Sequence, residues 1–206
     1  MKDLIVAVAD SYQEEVIKAL LPRLSLTHNI STIDFDIIRN PGHDSGSYNN
    51  SHNLLRLFVN QYSFCMVILD YEGSGIESKK SREEAERDVE YKLTLNGWED
   101  RCCCIVIEPE LENWMWINSP HVEDAIGWDN QKKSLYNWAR EKGFMPRNGS
   151  KPLRPKETLE RALRSTRTAK SASIYKRIAQ QASYKDCSDL AFLKLTRTLE
   201  NWFKKK

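Results

Sequence analysis

Apolar residues fall along the first half of the chain in three short, nearly unbroken runs, LIVAVA (4–9), FCMVIL (64–69) and CCCIVI (102–107). Runs of this length, rich in β-favouring residues and not alternating, are the pattern of strands covered on both faces in a parallel sheet. ISTIDFDII (30–38) instead alternates apolar and polar positions over much of its length, as a half-exposed or edge strand does. Between these runs the period becomes helical. SYQEEVIKALLPRL (11–24), with Ser11 near its start and acids in its first turn, predicts an amphipathic helix, as do LLRLFVNQY (54–62) and SREEAERDVEYKLTLNGW (81–98). RNPGHDSGSYNN (39–50) reads as a loop by its Pro, Gly, Asn and Ser content. The resulting order, β-α-β-α-β-α-β, predicts an α/β fold with right-handed crossovers and a mostly parallel four-stranded sheet flanked by helices.

After residue 110 the strand signals stop. LENWMWI, VEDAIGW and SLYNWAREKGF predict short helices, and further helices are expected near 156–165, 171–182 and 189–203. The Gly, Ser and two Pro of RNGSKPLRP (147–155) mark a linker or hinge. The expected organisation is an α/β domain over residues 1–130 and a basic helical lobe over 131–206 packed on it. A chain of 206 residues is long enough to bury a full core.

Charge divides the chain in the same place. Residues 1–130 carry 11 Lys/Arg against 23 Asp/Glu, and residues 131–206 carry 20 against 6, although the net charge is only +2. Such asymmetry lets a basic lobe grip nucleic-acid phosphates or dock on a partner while the acids hold a metal, or lets the two halves neutralise each other across their own interface. No apolar run approaches the ~20 residues that span a bilayer, and the opening MKDLIVAVAD reads as a first strand rather than a signal segment. The expected partners exclude a membrane, and the expected location is the cytoplasm. Five cysteines lack CxxC spacing, and three of them are consecutive, so their side chains alternate between faces of a strand. They read as reduced, buried thiols rather than as a zinc site.

Acids stand at the carboxyl ends of three strands: Asp10 after the first, Asp70 and Glu72 after the third, and Glu108, Glu110 and Glu112 after the fourth. In open α/β sheets that edge is where ligands bind. Clustered carboxylates raise each other's pKa unless a cation sits among them, so convergence of these acids predicts Mg²⁺ or Mn²⁺ as cofactor. On an extended backbone Asp70 and Glu72 share a face and reach one ion. Glu110 and Glu112 are also favoured near a helix N-terminus by the helix dipole, whatever their function. His43 and Asp44 lie in the glycine-containing loop RNPGHDSG; His43 is a candidate general acid, and Asp44 is either an acid beside it or a cap on the next segment. Trp114 and Trp116 read as core anchors. No GxSxG, Walker loop or GxGxxG occurs, so the serine-hydrolase, P-loop and dinucleotide classes lack their local signatures.

Three separated motifs, AVADSYQEE, LDYEGSG and IEPELENWMW, resemble in order the signature of TOPRIM-like domains. Over nearly the full length, RNPGHDSG, VILDYEGSG, IVIEPELENWMW, RPKETLE and CSDLAFLKLTRTLENWF are similar to the TOPRIM-like accessory component of bacterial methylation-associated anti-phage defence systems. The resemblance implies a Rossmann-like core in which a Glu and a DxD pair hold Mg²⁺ for phosphodiester or phosphoryl chemistry. By position the Glu falls on Asp10 and the pair on Asp70 and Glu72. Asp10 is one methylene shorter, Ser11 stands for the usual glycine, and the second pair member is Glu, so charge is kept while reach changes. Glu14 and Glu15 are the residues placed to restore that reach. The resemblance also implies partner subunits of a defence assembly.

In the C-terminal half Lys156, Arg161, Arg164 and Arg167 are the candidate nucleic-acid contacts, for DNA or RNA, with the arginines spaced i, i+3 on one helix face. A solvated helix surface accounts for the same spacing. The competing function is a non-catalytic adaptor that docks on a partner subunit or DNA through this lobe.

Overall fold

The computed structural model describes residues 1–146 and 148–205. Four strands, β1 (Lys2–Val8), β2 (Phe35–Arg39), β3 (Tyr62–Asp70) and β4 (Cys102–Ile107), form one all-parallel sheet in the order β2-β1-β3-β4. The apolar runs are continuous because both faces are covered. Leu4, Val6, Met66, Ile68 and Ile105 enter one core, while Ile5, Ala7, Cys65, Val67, Leu69 and Cys104 enter the other. The first core is closed by α1 (Ser11–Thr27) and the C-terminal helices, and the second by α2 (His43–Arg56) and α3 (Arg82–Leu93).

The chain leaves β1 toward β2 on one side and leaves β3 toward β4 on the other. The point between β1 and β3 is therefore the topological switch point, the place at the carboxyl edge where open α/β sheets bind ligands. Register places Val8 beside Ile68, and Asp70 beside Ile107, so the strand ends that carry acids are neighbours.

Several elements differ from expectation. Residues 43–50, expected as loop, begin α2; Ser47, Ser51 and Leu55 form its buried stripe, and two of those side chains are small enough to bring the helix against the sheet. A Cβ at Gly46 would lie 2.6 Å from Asn40 Oδ1, so a larger residue there would displace the side chain that accepts the Gly42 N–H. The helix expected over 54–62 ends at Arg56, and β3 begins at Tyr62. The helix expected over 81–98 starts with a Ser81–Glu84 capping box but gives way at Thr94 to a π-helical turn, whose Gly97 (φ 93°) swings Trp98 into the core. The second strand is confined to Phe35–Arg39.

Downstream lie α4 (Glu112–Met115), α5 (Pro120–Ala125), α6 (Leu135–Glu141), α7 (Pro155–Thr166), α8 (Ala172–Gln181) and α9 (Leu190–Trp202). Their apolar residues, among them Leu135, Leu159, Ile178, Phe192 and Leu199, join the same core as Leu4 and Val6, so apolar packing runs without a break across residue 130. Charge crosses it too. Glu15 pairs with Lys176 at 2.8 Å, Glu86 and Glu90 with Lys194 at 3.1 and 2.8 Å, Glu110 with Lys156 at 3.6 Å and Glu112 with Lys170 at 3.1 Å. Part of the charge asymmetry is thus consumed inside the molecule. Glu86 and Glu90 also accept the N–H groups of Val106 and Cys104 at 3.0 and 2.9 Å, which closes the outer edge of β4 against stray pairing. Trp114 and Trp116 are buried, as expected of core anchors, and all five cysteines are free thiols. Among the described residues no helix is long and apolar enough to cross a membrane.

Candidate functional site

At the switch point Asp10 ends the turn after β1 and caps α1. Its Oδ1 accepts the N–H groups of Tyr12 and Gln13, each at 2.9 Å. The cap is therefore Asp10 and not Ser11. This leaves Asp10 Oδ2 as the oxygen outside the cap. Gln13 is buried, and its Oε1 accepts the Ala9 N–H at 2.9 Å, which fixes the amide orientation and aims Nε2 outward along the edge.

That one nitrogen serves two carboxylates. Gln13 Nε2 donates to Asp70 Oδ1 at 2.9 Å and to Asp44 Oδ1 at 3.4 Å, and Asp44 Oδ1 also accepts the Asp70 backbone N–H at 2.7 Å. Asp44, in the first turn of α2, is thereby locked against the end of β3. Among the described residues Asp10, Asp44 and Asp70 form no ion pair. The electrostatic consequence is large. Burial, followed by the charges of Asp44, Glu112 and Asp10, pushes the Asp70 carboxyl well above the usual carboxylate range, and burial with Asp10 beside it pushes Asp44 up as well.

The other predicted residues are placed differently. Glu72 does not share a face with Asp70, because the strand ends at Asp70 and the chain turns through Gly73 (φ 87°); Glu72 is exposed and its N–H donates to the Pro109 carbonyl at 2.9 Å. His43 is exposed in a left-handed conformation (φ 52°), with no side-chain hydrogen bond among the described residues. The loop's carboxylate, and not its imidazole, enters the edge. Glu14 pairs with Lys18 and Arg39, and Glu15 with Lys176, so neither extends the reach of Asp10.

Behind Asp70 lies a second, compensated layer. Glu112 is buried and accepts the Tyr175 hydroxyl at 2.5 Å and Lys170 Nζ at 3.1 Å, while Lys170 also meets Glu160 at 3.2 Å. Burial lowers the Lys170 ammonium, but Glu112 and Glu160 together hold it above its ordinary value. Glu110 is not in a helical first turn, since α4 begins at Glu112; its Oε1 accepts the Lys156 N–H at 2.9 Å. Burial and the neighbouring Glu112 push the Glu110 carboxyl up to about 7.

Of the basic candidates, Lys156 turns its ammonium to Glu110 at 3.6 Å, whereas Arg161, Arg164 and Arg167 are exposed. Arg161 lies over the Phe144 ring at 5.2 Å, and Arg164 meets Glu160 at 3.7 Å. Arg167 is the left-handed C-cap of α7 (φ 58°).

The edge offers carboxylate oxygens, the donor type a hard cation takes, with no ion pair to Asp10, Asp44 or Asp70 among the described residues, although Lys156 is near enough to Asp70 to feel its charge. Among the described residues no group of three or more His, Cys, Asp or Glu side chains is placed to hold a metal ion. A hard cation at this edge would have one or two carboxylates and would complete its shell with water. Sequence reading missed Gln13, and it places Lys170 among the basic residues of the C-terminal half and Tyr175 in the core or facing a partner without pairing either with Glu112. Asp-x-x-Gln at 10–13, a variant of the capping-box spacing, was the available signal for Gln13. Lys170 and Tyr175 carry no local signal for this role, because they meet Glu112 only when α8 and the residues before it pack beside α4 and α1. Compared with family models, with curated proteins and with solved structures, the chain has no match.

Proposed function

We propose that the carboxyl edge binds one Mg²⁺ or Mn²⁺ ion through Asp70 and Asp44, with Asp10 beside them, and that the protein works on nucleic-acid phosphodiesters as a TOPRIM-like component of a bacterial anti-phage defence assembly. The observation that carries the cation reading is the sharing of Gln13 Nε2 by two carboxylates that form no ion pair among the described residues. Asp44 takes the place that the family resemblance gives to Glu72. A divalent ion there would supply neutralisation of charge developing on a phosphodiester and activation of water. The chain's own groups hold the arrangement: Gln13 orients both carboxylates, Asp10 is fixed by its cap, and Glu110, poised at about 7, exchanges a proton near neutral pH. The defence role rests on the sequence resemblance.

A second reading, a non-catalytic adaptor, is favoured by the exposed Arg161 and Arg164 on α7 and Arg167 at its C-cap. Phage-protection assays separate the two. The catalytic reading expects Asp70→Asn to abolish protection while the protein remains folded, with little effect from the double reversal Arg161→Glu, Arg164→Glu. Full protection by a folded Asp70→Asn variant, together with loss in the double reversal, would transfer the function to the basic helix.

A further inference from the structure

Between α6, the chain at 116–118 and the 183–188 connection from α8 to α9 lies a cleft of about 610 Å³, none of whose lining residues belongs to the carboxylate edge. Its size falls within the ~300–1,000 Å³ typical of small-molecule sites. The apolar part of the lining includes Ile117 and the half-buried Tyr136, which meets the buried Trp116 edge to face at 5.8 Å; Trp116 Nε1 is already satisfied by the Pro155 carbonyl at 2.9 Å.

Part of the polar lining is uncommitted. Asn118, Asn137, Asp186 and Arg140 all border the cleft, and among the described residues none of their side chains makes a hydrogen bond or ion pair within the protein. Lys151 borders it too, but its Nζ is spent on the Asn113 carbonyl at 2.7 Å. Arg140 is therefore the cation that the described lining leaves available for an anion.

This combination is chemically selective. Two amides offer paired donors and acceptors, the pattern that reads the edge of a nucleobase; a carboxylate accepts sugar hydroxyls; a guanidinium binds phosphate in a fork; aromatic rings receive a flat heterocycle. Asn118, Asn137, Arg140 and Asp186 are exposed at the rim, where a ligand with both polar groups and an anion can engage them. We infer that the cleft binds a nucleotide, free or as a unit of a single strand, with the base against Tyr136, the sugar toward Asp186 and the phosphate on Arg140.

The test titrates the full-length protein, in EDTA, with AMP, GMP, CMP and UMP by calorimetry and with a fluorescent single-stranded oligonucleotide by anisotropy. Wild type is expected to bind at least one of these probes. Arg140→Glu is expected to weaken that binding about tenfold or more, and Asn137→Leu to weaken it in the same direction, while Asp70→Asn leaves it unchanged. Arg140 and Asn137 are exposed, so both variants should melt with the wild type. Binding of the mononucleotide identifies a free nucleotide as the ligand, and binding of the strand alone identifies a strand-borne one. Absence of binding by wild type, binding unmoved by Arg140→Glu, or binding lost in Asp70→Asn and kept in Arg140→Glu would each overturn the assignment. The Asp70→Asn arm also keeps its failure distinct from failure of the cation reading.

Discussion

Asp70→Asn should make the metal-free protein more stable at pH 7, even though it removes a residue proposed to be functional. The Asp70 carboxyl is held well above its ordinary range by burial and by Asp44, Glu112 and Asp10, so the folded state keeps a proton that the unfolded state releases. Stability is therefore present at low pH and lost as pH rises from the unfolded value, ~3.9, through the raised folded value. Asparagine keeps an oxygen for Gln13 Nε2 and discards the charge. In EDTA the variant is expected to melt about 2–4 °C above wild type at pH 7, the shift that ~1 kcal/mol produces in a chain of this size. The advantage should shrink as the pH is lowered toward 4, where wild-type Asp70 is itself neutral. Melting curves from pH 4 to 8 check this, and a variant less stable than wild type at pH 7 would show that the carboxylate is compensated after all.

Glu112→Ala is expected to have the largest effect on stability. The carboxylate ties α4 to α8 through Tyr175 and to the segment before α8 through Lys170. Its removal leaves the Tyr175 hydroxyl buried without its acceptor and Lys170 with Glu160 alone. Stranded partners of a buried charge cost about 3 kcal/mol or more, a large part of the ~5–15 kcal/mol that holds a domain folded. Glu112→Gln, which still accepts the tyrosine hydroxyl, should lose much less. Urea unfolding of the two variants is the measurement; equal losses would mean that the charge, and not the hydrogen bond to Tyr175, is what the core requires. Both substitutions also relieve Asp70 of a neighbouring charge, and its pKa should fall in each.

The strands were legible because burial on both faces leaves continuous apolar runs; CCCIVI matches β4 residue for residue. The three C-terminal helices at 155–202 were legible from their period, since each presents one apolar face to the common core. Residues 43–50 were not, because Gly, Ser and Asn signal loop locally, while in the structure small side chains are what lets α2 lie close to the sheet. At the site, Asp10 and Asp70 could be placed by strand-end position alone. Glu72 could not, because the face it takes depends on whether the strand continues past Asp70, and the turn through Gly73 reverses the chain there. The pairing of Asp44 with Asp70, 26 residues apart, and of Glu112 with Lys170 and Tyr175 arises only when α2 and α8 pack. The C-terminal charge was legible as a total but not in its use, since Lys156, Lys170, Lys176 and Lys194 turn inward to acids of the first half.

The central claim is that Asp70 and Asp44 together hold a divalent cation. Its most direct test is calorimetric titration of the EDTA-stripped, dialysed protein with Mn²⁺ and Mg²⁺, using wild type, Asp70→Asn, Asp44→Asn and Glu72→Gln. The account predicts binding by wild type and by Glu72→Gln, and loss of binding in both aspartate variants. No binding by wild type, or binding undiminished by Asp70→Asn, would contradict it.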